Sequence, residues 1–451
     1  MQRFLKQAVL VIIGVFWAAI GWAESSNESP NGAPDATQAV DLSQWLDWAE
    51  RYNGQVAAQR SSVAASRFDQ DAADASLGPS VSLKSEISYR VMEMADYARS
   101  ANRLEVTQPL YRPELSARQT LAQTRTAQNQ ARLGQARLQV LTEVANAVIE
   151  RFEVRVAQRY LQREAHALAD IQNQLSERLS LGQQSHSDWA EVQAQRSQNR
   201  VRLAQNRQTQ AEVTGRLEAL LEGLPASEKA SLAQRHLDWK GSLAKIDQRR
   251  PSAWRTLASE PDWRQWVDAH PDLVRLNRQG EQMQAKVDLA RSANAPKVEA
   301  FGGWVYNESD DYFYDDMQGV LGGVRLEWPF YRHGETKARM ASARSERQEA
   351  TTLHRQRQAE LMAKASEAWQ SLAAQQSLLE AVDDLLQARE SRVQSLSQDL
   401  ESGRGSTLDL LAAQLDRYRA ERDALLAQAG LLRQWVKLAS ATGQFEVIKA
   451  P

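Results

Sequence analysis

Apolar and polar residues alternate with a period of two in four segments of the chain. In SVSLKSEISYRV, which begins at Ser80, one face carries Val81, Leu83 and Ile87, whereas the other carries serine and charged residues. Such alternation is typical of a β-strand with one apolar and one polar face. The pattern predicts strands at about 80–92, 98–111, 297–307 and 318–331.

Most of the remaining chain shows a helical pattern, with apolar residues three and four positions apart. Two runs without an internal proline, 113–181 and 335–402, predict helices about 100 Å long at 1.5 Å per residue. Each run ends near a glycine and is followed by a return helix, at 185–222 and at 406–440. In the second long run a leucine or valine recurs every seven residues between positions 372 and 400, which predicts coiled-coil packing against a neighbouring helix.

The order of these elements repeats along the chain. The segment that begins at Gln108 reads QPLYRPELSAR and the one that begins at Trp328 reads WPFYRHGETKAR, so that a proline, an aromatic residue and an arginine twice separate a strand from a long helix. An internal repeat of this kind defines the organisation of the whole chain. A half-helix opens each repeat, and the simplest packing stacks it end to end with the return helix beside the long helix. We predict a first repeat at 41–222, an irregular equatorial-type connector at 223–261, a second repeat at 262–440 and a C-terminal tail at 441–451.

The first residues predict export. Arg3 and Lys6 precede an apolar run at 8–20, and a small-x-small cleavage site follows. Because the run has only about 13 residues and roughly 20 are needed to span a bilayer, a cleaved signal peptide at 1–23 is favoured over a membrane anchor. A flexible leader is predicted at 24–40. Since the chain has no cysteine, neither a lipid-anchored cysteine nor a disulfide is expected.

Charge and composition exclude several classes of protein. Acidic and basic residues nearly cancel, at a formal net charge of -2, so nothing directs the chain towards nucleic acid. The six histidines include no i, i+4 pair, and all six are predicted to be solvated surface residues rather than metal ligands. A phosphate-binding loop and a G-x-S-x-G nucleophile motif are also absent from the sequence. The sequence therefore predicts neither an enzyme nor a cofactor.

Two interpretations of the alternating strands remain open at this point. A soluble sheet that covers a core would also have one apolar and one charged face. Each segment is, however, about as long as a strand that crosses a bilayer, and aromatic girdles at the interfaces are typical of such strands. The aromatic residues in or beside the strands are Tyr89, Tyr97, Trp304, Tyr306, Tyr312, Phe313, Tyr314, Trp328 and Tyr331. Length and aromatic content favour the membrane interpretation.

Four strands cannot close a barrel, and an open sheet edge in lipid leaves backbone groups unpaired. Other copies of the chain would have to complete the sheet, and three copies would supply about 12 strands, an even number found in outer-membrane barrels. The strand-to-helix corners, with Pro109 and Tyr111 in one repeat and Pro329 and Tyr331 in the other, would then lie at the membrane boundary. Ordinary strand-to-helix turns in a soluble protein would have the same residues.

These features together resemble the TolC-like outer-membrane factor family, also called outer membrane efflux proteins. The resemblance covers nearly the whole chain after the leader. It implies a mainly α fold with a small β part: a long coiled-coil barrel of helices, plus four transmembrane strands per chain that complete a 12-stranded barrel in a homotrimer. It also implies a function, as the exit duct of a tripartite efflux pump or of a type I secretion system. The implied partners are outer-membrane lipid, a periplasmic adaptor (membrane fusion) protein and an inner-membrane pump, with the helices in the periplasm.

The helical turns farthest from the strands carry the second part of the resemblance. They read RLSLGQQSHSDWAEVQAQ from Arg178 and DLESGRGSTLDLLAAQLD from Asp399. The resemblance implies a pore constriction at Asp188 and Asp409. It implies that the adaptor docks at Leu181, Gly182, Ser402, Gly403 and Arg404. Both aspartates also fit an S-x-x-D capping box, in which the carboxylate caps a helix start, so gating and capping both stay open.

Two other functions compete with the duct. A periplasmic coiled-coil adaptor or scaffold without a membrane barrel is the alternative, although such a protein would have one helical hairpin between β-rich halves rather than two hairpins interleaved with strand pairs. A secreted enzyme lacks any supporting motif. The cargo, the pump class and the ion selectivity do not follow from the sequence.

Overall fold

The computed structural model describes residues 39–91, 96–180, 186–232, 235–249, 261–309, 317–402 and 404–449. The predicted signal peptide, most of the leader, and the predicted docking residues Leu181, Gly182 and Gly403 lie outside these ranges. The described part is mainly helical with a small amount of sheet, as the sequence predicts.

Both long runs, and most of the shorter segments around them, are helical. They are α1 (Leu42–Tyr52), α2 (Gly54–Ala75), α3 (Pro113–Ser180), α4 (His186–Leu220), α5 (Ala226–Leu232), α6 (Trp239–Arg249), α7 (Arg264–Val267), α8 (Pro271–Ser292), α9 (Glu335–Glu401), α10 (Thr407–Thr442) and α11 (Glu446–Lys449). The 68 residues of α3 and the 67 of α9 contain no break.

The strands form two sheets. They are β1 (Ala39–Val40), β2 (Ser80–Val91), β3 (Asp96–Tyr111), β4 (His236–Leu237), β5 (Lys297–Ser309) and β6 (Met317–Glu327). The larger sheet has the order β2-β3-β5-β6 and every pairing in it is antiparallel. The strand pairs of the two repeats therefore join side by side, and β2 and β6 are the outer strands. The short strands β1 and β4 pair in parallel, so the last two residues of the predicted leader, 39–40, are in a strand and tie the chain just before the first repeat to the connector.

The long helices pack beside the shorter ones in one layer. Helix α3 contacts α2 and α4 of its own repeat and α8 and α10 of the other, while α9 contacts α8 and α10. The order across the layer is therefore the α2/α4 pair, α3, the α8/α10 pair, and α9. In each pair the half-helix and the return helix together run alongside a long helix.

The half-helix of each repeat is interrupted near its beginning. In the first repeat α1 ends at Tyr52, and α2 begins after Asn53, whose backbone is extended. In the second repeat the short α7 is followed by α8, which begins after His270, again with an extended backbone. The following helices, α2 and α8, both have 22 residues.

The largest apolar core lies where the connector meets the middle of the helical layer. Leu42, Trp45 and Leu46 of α1 are at most 1% exposed and belong to one cluster with Val144 of α3 and Leu372 of α9. Trp263 joins the same cluster and contacts Trp369 edge to face, with ring centroids 5.6 Å apart. Leu237 and Ile246, which lie in the connector, belong to the same cluster, so this core holds the connector against both repeats.

Two kinds of feature are absent from the described residues. None of the helices there is both long enough and apolar enough to cross a membrane. The same residues contain no group of histidine and carboxylate side chains suited to hold a metal ion.

Candidate functional site

One face of the four-stranded sheet is apolar and uncovered. Strand register places Leu83, Leu104, Trp304 and Val320 in one row across all four strands. These side chains are 72%, 42%, 44% and 87% exposed, respectively. Residues that pair directly across antiparallel strands point to the same side of the sheet. A continuous apolar surface of this kind marks a site of contact with lipid or with another protein.

The opposite face of the sheet is polar, and charged side chains that pair with one another cover part of it. Glu105, in the row next to Leu104, is only 7% exposed and lies 3.9 Å from a guanidinium nitrogen of Arg325. Arg325 also pairs with Glu299 at 2.9 Å and stacks over the ring of Phe301, 4.8 Å from its centroid. That ring in turn fills the space above Gly323, the residue opposite Phe301 on β6. The two faces of the sheet thus differ in charge, although Phe301 of β5 lies on the polar face.

The first corner lies within the sheet. Pro109 pairs with Glu299 and Tyr111 pairs with Val298, so Leu110 is an extra residue in β3 and forms a bulge. Proline suits this position because it has no N–H group to donate to a ladder. Tyr111 is 55% exposed, and Arg112 lies 3.7 Å from Glu299 on the polar side.

The second corner lies outside the sheet. Strand β6 ends at Glu327, although the sequence predicts a strand to about 331. Glu327 pairs with Lys297, the first residue of β5, so the ladder ends because its partner ends there. Pro329 and Tyr331 fall in the following loop, where Tyr331 is 70% exposed and Phe330 is 80% exposed. His333 and Gly334 then take left-handed conformations, and α9 begins at Glu335.

The turn between α9 and α10 is held by its own backbone. The N–H groups of Arg404 and Gly405 both donate to the carbonyl of Asp399, each at 2.9 Å. The Arg404 guanidinium donates to the hydroxyl of Ser402 at 3.2 Å and is itself well exposed. A Cβ on Gly405 would lie 2.6 Å from the backbone nitrogen of Leu400, so only glycine fits there. Gly405, which the sequence analysis did not single out, is therefore a further residue that shapes the turn.

The two candidate aspartates lie in the first turns of the two return helices. Both turns contact the same end of α3, because Trp189 and Leu411 pack against one apolar cluster around Leu175. Asp409 is exposed, and the side chain of Ser406 at the start of α10 makes no capping hydrogen bond. Asp188 lies within α4, which begins at His186. Ser406 therefore does not supply the side-chain hydrogen bond that a capping box requires at the start of α10.

In each repeat one polar side chain joins the start of one helix to the end of the return helix. The side-chain oxygen Oδ1 of Asn53 accepts hydrogen bonds from the N–H groups of Gln55 and Val56 at 2.9 and 3.2 Å, and the side-chain nitrogen Nδ2 donates to the carbonyl of Leu220 at 2.8 Å. In the second repeat His270 Nδ1 accepts from the N–H of Asp272 at 3.1 Å, and Nε2 lies 3.0 Å from the carbonyl oxygen of Ser440. Each side chain thus caps the helix that follows the interruption in the half-helix, α2 or α8, and binds a free carbonyl at the end of the return helix.

The prediction that all six histidines are solvated is wrong for His270. This residue is 2% exposed. Burial lowers the pKa of His270, and the nearby cations of Arg357 and Lys364 act in the same direction, whereas the Ser440 carbonyl and Asp272 oppose it. Because Nδ1 accepts and Nε2 donates, the neutral ring with its proton on Nε2 is the form that fits both hydrogen bonds.

Comparison with known proteins agrees with this architecture. Residues 265–444 match the sequence model of the family described as outer membrane efflux protein. The outer membrane protein VceC from Vibrio cholerae is similar in structure at 16% identity, with 89% of this chain and 96% of that chain covered and a TM-score of 0.71. The CmeC outer membrane channel of Campylobacter jejuni is 12% identical, with 93% and 90% covered and a TM-score of 0.73.

A third structure, the open state of the Neisseria gonorrhoeae MtrE outer membrane channel, is 15% identical, with 93% of this chain and 94% of that chain covered and a TM-score of 0.69. No curated protein sequence matches the chain significantly. At these identities the structural likeness establishes the fold.

Proposed function

On the premise that the second repeat is an outer membrane efflux protein domain and that the chain has the TolC-like channel fold, we propose that this protein is a passive exit duct in the outer membrane. Three copies would form the duct, and it would serve a tripartite efflux pump or a type I secretion system. The protein performs no chemical step and holds no cofactor. Its opening is controlled by partner proteins.

The observation that carries this proposal is the exposed apolar row Leu83, Leu104, Trp304 and Val320. In water such a face would be strongly unfavourable, at roughly 25 cal/mol for each Å² of apolar surface. Lipid removes this cost for the outward face of a transmembrane sheet. A soluble scaffold, the alternative drawn from the sequence, would leave the same face in water.

The edges of the sheet support a shared barrel. Strands β2 and β6 each have one strand neighbour in the described chain. In lipid each unpaired backbone group costs several kcal/mol, so a spanning sheet has to close. Pairing β6 of one copy with β2 of the next removes both edges, and three copies give about 12 strands. The exposed tyrosines at the two corners, Tyr111 and Tyr331, would then form part of the interfacial girdle.

The far end of the helices is the proposed gate and docking site. Asp188 and Asp409 would line the constriction, and Leu181, Gly182, Ser402, Gly403 and Arg404 would contact a periplasmic adaptor. The exposure of Asp409 and of Arg404 supports these roles, since both side chains are available to a partner or to the pore. The chain would reach its membrane by a cleaved signal peptide at 1–23, without lipidation.

The proposal is tested by the mass of the protein in its membrane. The full chain would be expressed with its own leader, the outer membrane isolated, and the detergent-extracted particle measured by light scattering with correction for bound detergent. We expect about three chains per particle. A soluble monomer or dimer would overturn the duct and favour a periplasmic scaffold.

A further inference from the structure

A cavity of about 420 Å³ lies where the helical layer meets the sheet. Its walls come from the first turns of α3, the end of α8, the first turns of α9, the start of β5 and the second corner. The charged residues that line it are Glu114, Arg118, Lys286, Lys297, Arg332, Arg339 and Glu346. The rest of the lining is leucine, alanine and serine.

The cavity lies on the polar side of the sheet. Lys297 lines the cavity and pairs with Glu114 at 3.0 Å. On β5, Lys297 and Glu299 are two residues apart and point to the same face, and Glu299 pairs with Arg325 on that face. The apolar row is on the opposite face. In the proposed barrel, therefore, the wall of the cavity that Lys297 forms lies on the side of the water-filled interior rather than on the lipid side.

The cations of this cavity outnumber its carboxylates. Five basic side chains line it, against Glu114 and Glu346. Glu114 also binds Arg118, and Glu346 binds Lys286 at 3.1 Å. Arg339 pairs with Glu335, which does not line the cavity, so even with that residue five cations face three carboxylates.

Of the basic residues that line the cavity, Arg332 is the one that no carboxylate of the described chain pairs with. Among the described residues it takes part in no ion pair, and its side chain is half-buried against the cavity. A guanidinium group offers two parallel donors to a phosphate, sulfonate or carboxylate group. A negatively charged ligand would therefore complete the charge balance at this point.

A second cavity farther along the helices provides an internal comparison. It has a volume of about 560 Å³ and is lined by three cations, Arg357, Lys364 and Lys437, and by three carboxylates. Arg357 and Arg339 are 18 residues apart on α9, which is five turns, so both cavities face the same side of the layer, about 27 Å from each other. Compared with this balanced cavity on the same side of the layer, the cavity beside the sheet has an excess of positive charge.

We propose that the cavity lined by Arg332, Arg339 and Lys286 binds organic anions that carry two or more negative charges, as a cargo-selecting site inside the duct. This inference rests on the proposed function, because only the closed barrel makes the cavity part of a transport path. In a homotrimer three such cavities would surround the axis, and their summed potential would concentrate anions at the foot of the barrel. Binding has to remain weak and salt-dependent for the cargo to leave again.

The test uses pyranine, a soluble fluorescent trisulfonate, and the purified full-length protein in detergent. Fluorescence anisotropy gives the dissociation constant at low and at high salt. We expect Arg332→Gln to weaken binding about tenfold and Arg332→Gln with Arg339→Gln to weaken it further, since each removes a charge-assisted hydrogen bond. Arg332→Lys keeps the charge and should lose less. The matched control, Lys364→Gln in the balanced cavity, should change the constant by less than about twofold.

Light scattering on every variant separates the two hypotheses. If the particles contain three chains and the double variant binds pyranine as tightly as the wild type does, the anion site is wrong while the duct stands. If the wild-type particle is not a trimer, the duct fails whatever the binding data are. Equal losses in the Arg332 variants and in Lys364→Gln would also overturn the site, because they would show attraction by overall charge alone.

Discussion

At the residue scale, a single side chain joins two helix ends in each repeat. Asn53 and His270 hold equivalent places, since each precedes a 22-residue helix and reaches the last turn of a return helix. The repeat itself was predictable from the sequence, but the equivalence of these two residues was not. A histidine that accepts through Nδ1 is an uncommon helix cap, and its role depends on a carbonyl 170 residues away.

Only the second of these joints can titrate, and this leads to a pH dependence. The pKa of His270 is lowered by burial, so below about pH 6.5 the unfolded chain binds the proton more strongly than the folded chain does. Stability due to this residue is therefore present above about pH 6.5 and is lost as the pH falls through the folded-state pKa. We expect His270→Asn, which copies Asn53, to change stability by less than about 1 kcal/mol at pH 8 and to flatten the decline between pH 7 and pH 5.

Thermal unfolding followed by circular dichroism across that pH range checks this expectation. His166→Asn, at an exposed position on α3, is the matched control and should keep the wild-type slope. A slope that is the same in His270→Asn and in the wild type would show that the joint does not sense pH.

Asp409 allows gating to be separated from capping. Because Asp409 is exposed and Ser406 provides no capping bond, we expect Asp409→Asn to change the unfolding free energy by less than about 0.5 kcal/mol. The same change should raise single-channel conductance in a planar bilayer, since it removes a negative charge from each copy at the proposed constriction. Asp384→Asn, on the exposed middle of α9, is the control. Loss of about 1 kcal/mol with unchanged conductance would assign Asp409 to capping.

At the element scale, the helices were easier to predict than the ends of the strands. The uninterrupted runs that contain α3 and α9 have strong periodicity and no internal proline, so their ends differ from the predicted ones by about one residue. The end of β6 differs by four residues. A strand stops where its partner stops, and the start of β5 at Lys297 cannot be inferred from the residues of β6 alone. The break at Asn53 also escaped prediction, since the sequence pattern is helical on both sides of it.

The turn between α9 and α10 gives a test of close packing. We expect Gly405→Ala to destabilise the turn by about 2 kcal/mol, because the added Cβ would meet the backbone nitrogen of Leu400 at 2.6 Å. Gly215→Ala, inside α4 and with no atom from outside that stretch of helix within 4 Å of the added Cβ, should instead stabilise the protein by about 1 kcal/mol.

Chemical denaturation of the two glycine variants, together with limited proteolysis at the turn, measures both effects. A Gly405→Ala protein as stable and as protease-resistant as the wild type would show that the turn can relax around an extra methyl group.

At the scale of the whole molecule, the family resemblance and the mainly helical fold class are confirmed. Both were predictable because repeat order, strand alternation and helix length are properties of long segments, which single substitutions hardly change. The order of the helices across the layer was harder to predict from the sequence, because it depends on contacts of α3 with α8 and α10 of the other repeat. The candidate sites at the helix tips remain predictions.

The two faces of the sheet make a direct test of the membrane assignment. We expect Leu83→Lys to reduce the amount of assembled protein in the outer membrane strongly, because a lysine facing lipid near the bilayer centre costs about 3 kcal/mol per chain. Ser82→Lys places the same residue one position earlier, on the polar face, and should assemble normally. Quantitative blotting of outer-membrane fractions measures both. Equal yields of the two variants would show that the exposed row does not face lipid.

The open edges of β2 and β6 also bear on how the chain matures. Before its copies meet, each chain carries an apolar face and two edges that can pair with any extended peptide, which are features that promote aggregation. Joining the three chains of the proposed trimer would depend steeply on their local concentration, so slow synthesis would prolong the vulnerable stage. We therefore expect a newly exported chain of the proposed duct to need a chaperone that shields the sheet until assembly, and we expect overproduction without more chaperone to divert the protein into insoluble aggregates.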